Sequence, residues 1–241
     1  MSERVKTGIP GLDGILNGGF IKGTNVLISG GTGTGKTIFS MQFVYMGAVL
    51  YDEPGVFVTL EERPSELRRE VAQFGWDLKH LENHGKLAII DAASSKAGIP
   101  TNEPYALRRG FDINELAKEI YRAAKDLGSQ RIALDSISAL GVRFDDILQI
   151  RTSIFKLSAL LRELEVTSIM TTEIANPSQI SRFGVEEFIA QGVIILYLDE
   201  NNDELRRSLI VRKMRGTSHS LRRHPFEISP KGIVVKPASE V

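Results

Sequence analysis

Asn25-Val26-Leu27-Ile28-Ser29-Gly30-Gly31-Thr32-Gly33-Thr34-Gly35-Lys36-Thr37 decides the fold. A short apolar run bounded by glycine reads as a buried strand. Ile38 to Met46 follows as a helix too apolar to expose any face broadly. Between them Gly30 to Thr37 satisfies G-x-x-x-x-G-K-[ST], and the strand before it and helix after it are the context that pattern requires. Its glycines let several backbone N–H groups turn toward one anion, and the helix presents its positive end to the same place. A plain glycine-rich turn is the alternative, and it would not explain the Lys-Thr pair. Gly31, Thr32, Gly33, Thr34 and Gly35 are therefore expected to cradle a phosphate chain, Lys36 to reach its outer phosphates, and Thr37 to ligate Mg²⁺.

Outward from this turn, strand and helix alternate. Val56 to Leu60 reads as a strand and Pro64 as a first helical turn, with Leu67, Val71 and Phe74 at helical spacing. Leu87 to Ile90 is a third strand, followed by a polar loop of about twenty residues, long enough to suggest function. Asp112-x-x-Glu115 caps a helix carrying Ile113, Leu116, Ile120, Ala124 and Leu127. Arg131 to Asp135 is a strand, Ile147 to Leu164 a striped helix, and Val166 to Met170 a strand again. Residues 191–198, 205–213, 223–228 and 232–235 then read as successive strands, with a turn at Asn201-Asn202-Asp203. These signs predict one α/β domain over 1–241: a mostly parallel sheet flanked by helices, with an antiparallel C-terminal extension.

Two further sites carry chemistry. Asp135 ends a strand, where an acid can hold Mg²⁺ or its water, although an Asp capping the next turn would look the same. Glu61 and Glu62 end the strand after the glycine-rich helix. A carboxylate there can polarise water for attack on a terminal phosphate, Glu61 ahead of Glu62, whereas the bland alternative is a solvated strand end. Lys36, Glu61 and Glu62 are the expected catalytic groups, with Thr37 and Asp135 as metal ligands.

Composition narrows the setting. There are 241 residues, 30 Lys+Arg balance 30 Asp+Glu, and there is no cysteine. Disulfides and thiolate chemistry are thereby excluded, and nothing in the net charge favours nucleic acid. The first residues lack the apolar core of a signal peptide and no long apolar run predicts a membrane span, so a cytoplasmic location is expected. The cations are unevenly spread, since seven fall between Arg206 and Arg223 with no acid among them. Trp76 is expected to anchor packing, and His80, His84 and His224 to be surface or capping residues.

Thr7-Gly8-Ile9-Pro10-Gly11-Leu12-Asp13, the glycine-rich loop, Glu61-Glu62, Phe74-Gly75-Trp76-Asp77 and Lys213-Met214-Arg215-Gly216-Thr217-Ser218-His219 together resemble the KaiC family, circadian-clock ATPases of the RecA superfamily. The resemblance runs from about residue 5 to 235. It implies a RecA-like P-loop core that binds ATP/ADP with Mg²⁺, hydrolyses ATP slowly, and assembles as a homo-oligomeric, hexameric ring with nucleotide between subunits. Lys213, Arg215 and His219 match the stretch that reaches a neighbour's nucleotide, which makes them nucleotide-binding in trans. It also implies a regulatory switch read by a protein partner. Ser220-Leu221-Arg222-Arg223 departs from the family's base-holding lysine, and Ser178 to Glu187 matches the half that is not autophosphorylated. Two other readings share this core: a recombination ATPase that binds DNA through loops 96–111 and 173–188, and a scaffold that binds ATP with little turnover.

Overall fold

The computed structural model describes residues 2–108, 110–142, 146–176, 178–201 and 204–238. In chain order it forms β1 (Arg4–Val5), α1 (Leu12–Ile15), β2 (Phe20–Ile21), β3 (Asn25–Gly30), α2 (Lys36–Tyr51), β4 (Gly55–Thr59), α3 (Pro64–Ala72), α4 (Leu78–Asn83), β5 (Leu87–Asp91) and α5 (Ala93–Lys96). Then come β6 (Tyr105–Ala106), α6 (Ile113–Leu127), β7 (Arg131–Asp135), a 3-10 turn (Ile137–Val142), α7 (Ile147–Glu163), β8 (Thr167–Glu173) and α8 (Glu186–Ile189). The chain closes with β9 (Gly192–Asn201), β10 (Glu204–Met214), β11 (His224–Ser229) and β12 (Gly232–Val235).

Ten strands make one sheet in the order β12-β11-β10-β9-β3-β8-β7-β4-β5-β6. From β9 to β6 every pairing is parallel, and β9 to β12 are antiparallel. The expected mixed sheet is therefore observed. Every residue of β3, β4, β5 and β7 is buried, which an apolar strand covered on both faces requires. Val26, Ile28, Phe57 and Ile169 face the layer that holds α2. Leu27, Val56, Val58 and Met170 face the layer of α6 and α7. Asp112 caps α6 by accepting from the Asn114 and Glu115 amides, and the helix ends at Gly128. Trp76 is buried, with ring centroids 5.4 Å from Tyr45 and 5.0 Å from Phe74.

Two expectations change. The twenty-residue loop is partly built, because α5 extends β5 and Tyr105–Ala106 adds an edge strand beside Ile90 and Asp91. His224 is not a surface residue: it is buried at the start of β11, its Nε2 2.8 Å from Ser220 Oγ. His84 does cap, its Nδ1 lying 2.7 Å from the His80 carbonyl at the end of α4. Asn202 and Asp203 of the expected turn lie outside the described residues.

Arg131, the first residue of β7, is fully buried. Its Nε donates to Glu53 Oε2 at 2.6 Å and Nη1 to the Phe43 carbonyl at 2.9 Å, and its guanidinium sits 4.6 Å from the Phe43 ring centroid. A buried cation stripped of its carboxylate is costly. Glu53→Ala should lower stability in urea unfolding by about 3 kcal/mol, whereas an exposed charge removed elsewhere on α2's flank should change it by less than about 0.5 kcal/mol. A loss of that small size for Glu53→Ala would show that Phe43 alone satisfies the guanidinium.

Candidate functional site

The glycine-rich loop leaves the carboxyl end of β3, the strand flanked by β8 and β9. Gly33 and Gly35 take φ values of 76° and 98°, in the left-handed region that side chains disfavour. The second of these residues caps α2, so the helix begins at Lys36. Lys36 Nζ donates to the Gly31 carbonyl at 2.9 Å, and Thr34 Oγ1 donates to the same oxygen at 2.8 Å. Burial lowers the Lys36 pKa from its usual value, while the charges of Asp135, Glu173 and Glu61 oppose that.

Those three acids come from the ends of neighbouring strands. Asp135 ends β7 and is nearly sequestered, its Oδ1 accepting from Thr171 Oγ1. Burial raises its pKa, opposed by hydrogen bonds from Thr171 and Thr37 and by the Lys36 charge. The peptide that follows, Asp135–Ser136, is cis. Beyond β4 the Leu60 amide donates to the Asp135 carbonyl at 2.7 Å, extending the pairing with β7 by one rung. Glu61 follows, within the field of Lys96 and Lys36. Its pKa is raised by burial and then by Asp135, with Lys96 and Lys36 opposing. Glu62 turns toward α3. Burial, then Glu70, Asp135, Glu61 and Glu66, push its carboxyl up to about 7, and its Oε2 is buried without a partner among the described residues. Glu173, at the end of β8, was not singled out by sequence. It lies 3.4 Å from Thr32 Oγ1 and acts on both Lys36 and Glu61.

On its other side the loop borders a cleft of about 270 Å³, lined by Lys36 and Thr37, by Gln73 and Phe74 after α3, and by Arg207 and Ile228 from β10 and β11. Arg207 is the second residue that sequence reading missed. It donates from Nε and Nη2 to the Gly33 carbonyl at 3.2 and 3.0 Å, which fixes the far end of the peptide whose N–H belongs to Thr34. Strand parity alone cannot show which arginine of an Arg206-Arg207 pair turns this way.

Lys213, Arg215 and His219 are not brought to this loop. Arg207 pairs with Leu198 near the carboxyl end of β9, whereas Lys213 and Met214 pair with Val193 and Gly192 at its start. Seven residues of β10, about 24 Å, run from Arg207 to its last residue Met214, and Arg215 lies beyond that end. Lys213 Nζ is tied within its own chain, donating to the Glu187 and Ala190 carbonyls at 2.9 and 2.6 Å at the end of α8. Arg215 is exposed, and His219 Nδ1 lies 3.1 Å from the Ser220 carbonyl. Nor are the seven cations one patch. Arg206 pairs with Glu204, and Arg223 pairs with Asp199 while its guanidinium lies 3.9 Å from the Tyr197 ring centroid.

A mostly parallel sheet with a glycine-rich loop off its central strand and acids ending the adjacent strands defines a RecA-like P-loop protein. The chain belongs to the KaiC ATPase family, whose profile matches residues 5–240. It is 46% identical over 237 residues to UPF0273 protein MJ1359 of Methanocaldococcus jannaschii, covering 98% of this chain and 97% of that one. It is 40% identical over 233 residues to the circadian clock oscillator protein KaiC of Parathermosynechococcus lividus, covering 96% of this chain but only 42% of that protein. The crystal structure of the KaiC-like protein PH0186 from Pyrococcus horikoshii OT3 superposes with a TM-score of 0.86 at 48% identity, covering 98% of this chain and all of that one. Among the described residues no helix is long and apolar enough to cross a membrane.

The raised Glu62 pKa has a consequence for stability. Between the ordinary carboxyl value and about 7 the folded chain binds a proton that the unfolded chain has lost, so stability falls as pH rises through that window. Glu62→Gln should therefore raise the unfolding midpoint at pH 8 and leave it unchanged near pH 4. The gain should be on the order of 1–2 kcal/mol, less than the full shift implies because the side chain is half solvated. Thermal unfolding in chelator without nucleotide measures this, and an equal offset at both pH values would rule out the proton as its cause.

Proposed function

We propose that this chain hydrolyses ATP to ADP and phosphate at sites shared between the subunits of a homo-oligomeric, hexameric ring. The loop amides of Gly31 to Gly35 and the Lys36 ammonium bind the phosphates, and the cleft beside Phe74 and Arg207 takes the nucleoside. Mg²⁺ fits the donor set: the Thr37 hydroxyl and the Asp135 carboxylate are hard oxygen ligands already in contact. When bound, the ion supplies charge neutralisation on the phosphate oxygens. Glu61 is the base. It accepts the proton of a water whose oxygen bonds the terminal phosphorus as the bond to the leaving ADP oxygen breaks. Glu62 stands behind it as a second carboxyl sharing the same field. The raised Glu61 pKa suits a base, since a carboxylate too weakly basic gains little from taking the proton.

One observation carries the shared site. Arg215 lies at the opposite end of β10 from the residue that touches the loop, so it has no route to its own chain's nucleotide. An exposed arginine in that position suits a neighbouring subunit's phosphates, where a cation offsets charge developing in transfer. His219 lies on the same segment. Lys213 joins them only after leaving the α8 carbonyls. The output is a nucleotide-dependent switch read by a protein partner, supported by the 40% identity to a clock oscillator protein. Scattered, acid-paired cations give no support to a nucleic-acid reading.

Lys36→Ala should leave a folded chain without measurable turnover, and Glu61→Gln should bind ATP normally while turnover falls about 10²-fold. Unchanged hydrolysis by either variant removes that residue from the chemistry.

Lys36→Ala and Arg215→Ala subunits, each inactive alone, should recover activity when mixed under conditions of subunit exchange. A junction then joins an intact loop to an intact arginine. Mixed rings without recovery would return Arg215 to an ordinary surface role.

A further inference from the structure

Glu186 is fully buried, and the chemistry above makes no use of it. Its Oε1 accepts from Thr172 Oγ1 at 2.9 Å and from the Phe183 amide at 3.2 Å. Its Oε2 accepts from Ser181 Oγ at 2.7 Å and from the Val185 amide at 3.1 Å. A carboxylate taken out of water is tolerable only when so fully partnered, and such a group fixes everything it touches.

What it touches lies at two ends. On one side Thr172 precedes Glu173, which faces Thr32 and Lys36 in the phosphate site, and the Glu173 amide donates to Ser138 Oγ at 2.8 Å. Ser29, in β3 just before the loop, donates to the Ile180 carbonyl in the same segment. On the other side Glu186 opens α8, and the carbonyls at the end of α8 hold Lys213. Hydrogen bonds joined by short stretches of backbone therefore run from the end of β8, beside the phosphate site, to the segment bearing Arg215.

We propose that Glu186 couples the two nucleotide sites in which one subunit takes part: its own, through Thr172 and Glu173, and its neighbour's, through α8 and Lys213. The proposal rests on the shared-site reading above. A triphosphate brings several negative charges close to Glu173, and the resulting force acts on the end of β8. Movement there shifts Glu186 and α8 and so loosens or tightens the tether on Lys213. Glu186 is thus a positioning residue whose effect is felt one subunit away. Such a coupling is a property of pairs of sites and has to be read from mixtures.

Wild-type chain mixed with Lys36→Ala chain gives the test, with ring composition followed by native mass spectrometry. A Lys36→Ala subunit still offers its own Arg215, so without coupling activity falls in a straight line with its fraction. With coupling, a subunit that cannot hold nucleotide depresses its neighbour, and a half-substituted population shows clearly less than half the activity. Placing Glu186→Gln in the same Lys36→Ala subunits should return the curve to the straight line. Thr172→Val, which keeps the shape but removes the bond to Glu186 along with longer ones to the Arg182 amide and Ser138 Oγ, should do likewise and serves if the first variant fails to fold.

A merely structural Glu186 would lower stability and leave the curvature alone. Curvature unchanged by both variants, or a straight line from the start, overturns the proposal. Failure of Lys36→Ala and Arg215→Ala to complement overturns the shared-site reading and this one with it. Complementation with unchanged curvature overturns this one alone. As a readout independent of turnover, amide exchange over residues 178–190 should respond to Mg-ATP in the wild type and lose that response in Thr172→Val. An identical response in both would equally overturn the coupling.

Discussion

Binding a phosphate chain by backbone amides requires a strand that stops with nothing in the way, and the rest of the molecule is arranged around that requirement. At Gly30 a Cβ would stand 2.7 Å from Thr34 Oγ1 and 2.8 Å from the Leu196 carbonyl, so the exit from β3 admits no side chain. Burial of β3 between β8 and β9 holds this exit still. Because these strands run parallel, all their carboxyl ends meet one crevice, and each contributes what it ends in. The order β4-β7-β8-β3 thus sets out Glu61, Asp135, Glu173 and the loop in succession. Three strand spacings are about 14 Å, too far for Glu61 to act from the end of a straight β4. Glu61 instead lies past the last rung between the two strands, the Leu60 amide on the Asp135 carbonyl, and from there its charge is felt at Lys36.

The crevice so formed is electrostatically uncomfortable. Burial pushes Lys36 toward its neutral form and Glu61, Glu62 and Asp135 toward theirs; Lys36 opposes this for Asp135 and Glu61, while the acids push Glu61 and Glu62 further up. The Gly31 carbonyl occupies Lys36, a contact of modest strength for a buried ammonium. A site held in this condition gains most when a polyanion and a divalent cation arrive together, since each satisfies the groups that the other leaves unpaired. Binding of that kind also stabilises the fold by mass action.

Much of this was legible in the sequence because it is local. A strand, a glycine run, Lys-Thr and an apolar helix are contiguous, and the acids at 61, 62 and 135 announce themselves by ending apolar runs. Regular elements were placed to within a few residues for the same reason, as with the helix beginning after Asp112. What escaped is what depends on lateral order. Glu173 follows two threonines beyond the expected strand end at Met170, and its relevance appears only when β8 is known to lie beside β3. Arg131 opens an expected strand and proves fully buried, because α2 and Glu53 close over it. The two-residue strands β1, β2 and β6 carry no periodicity at all. Arg207 and Lys213 sit in one run of cations, yet their partners come from residues 174 and 23 to 26 positions away.

The antiparallel extension converts this lateral order into a division of labour. A parallel strand presents only its carboxyl end to the crevice, so residues at its start face the far side of the molecule. β10 runs the other way: its beginning lies at the crevice and its end at the far side. One continuous strand therefore bears a cation on the loop, Arg207, and another at its opposite end, Lys213, with Arg215 just beyond it. Its register shifts between Val211 and Lys213, and such an irregularity re-aims the residues beyond it. In the ring proposed above, subunits would meet head to tail, and the far end of one would face the crevice of the next. A strand with cations at both ends then meets two phosphate sites at once, a geometry that no parallel strand of this sheet offers.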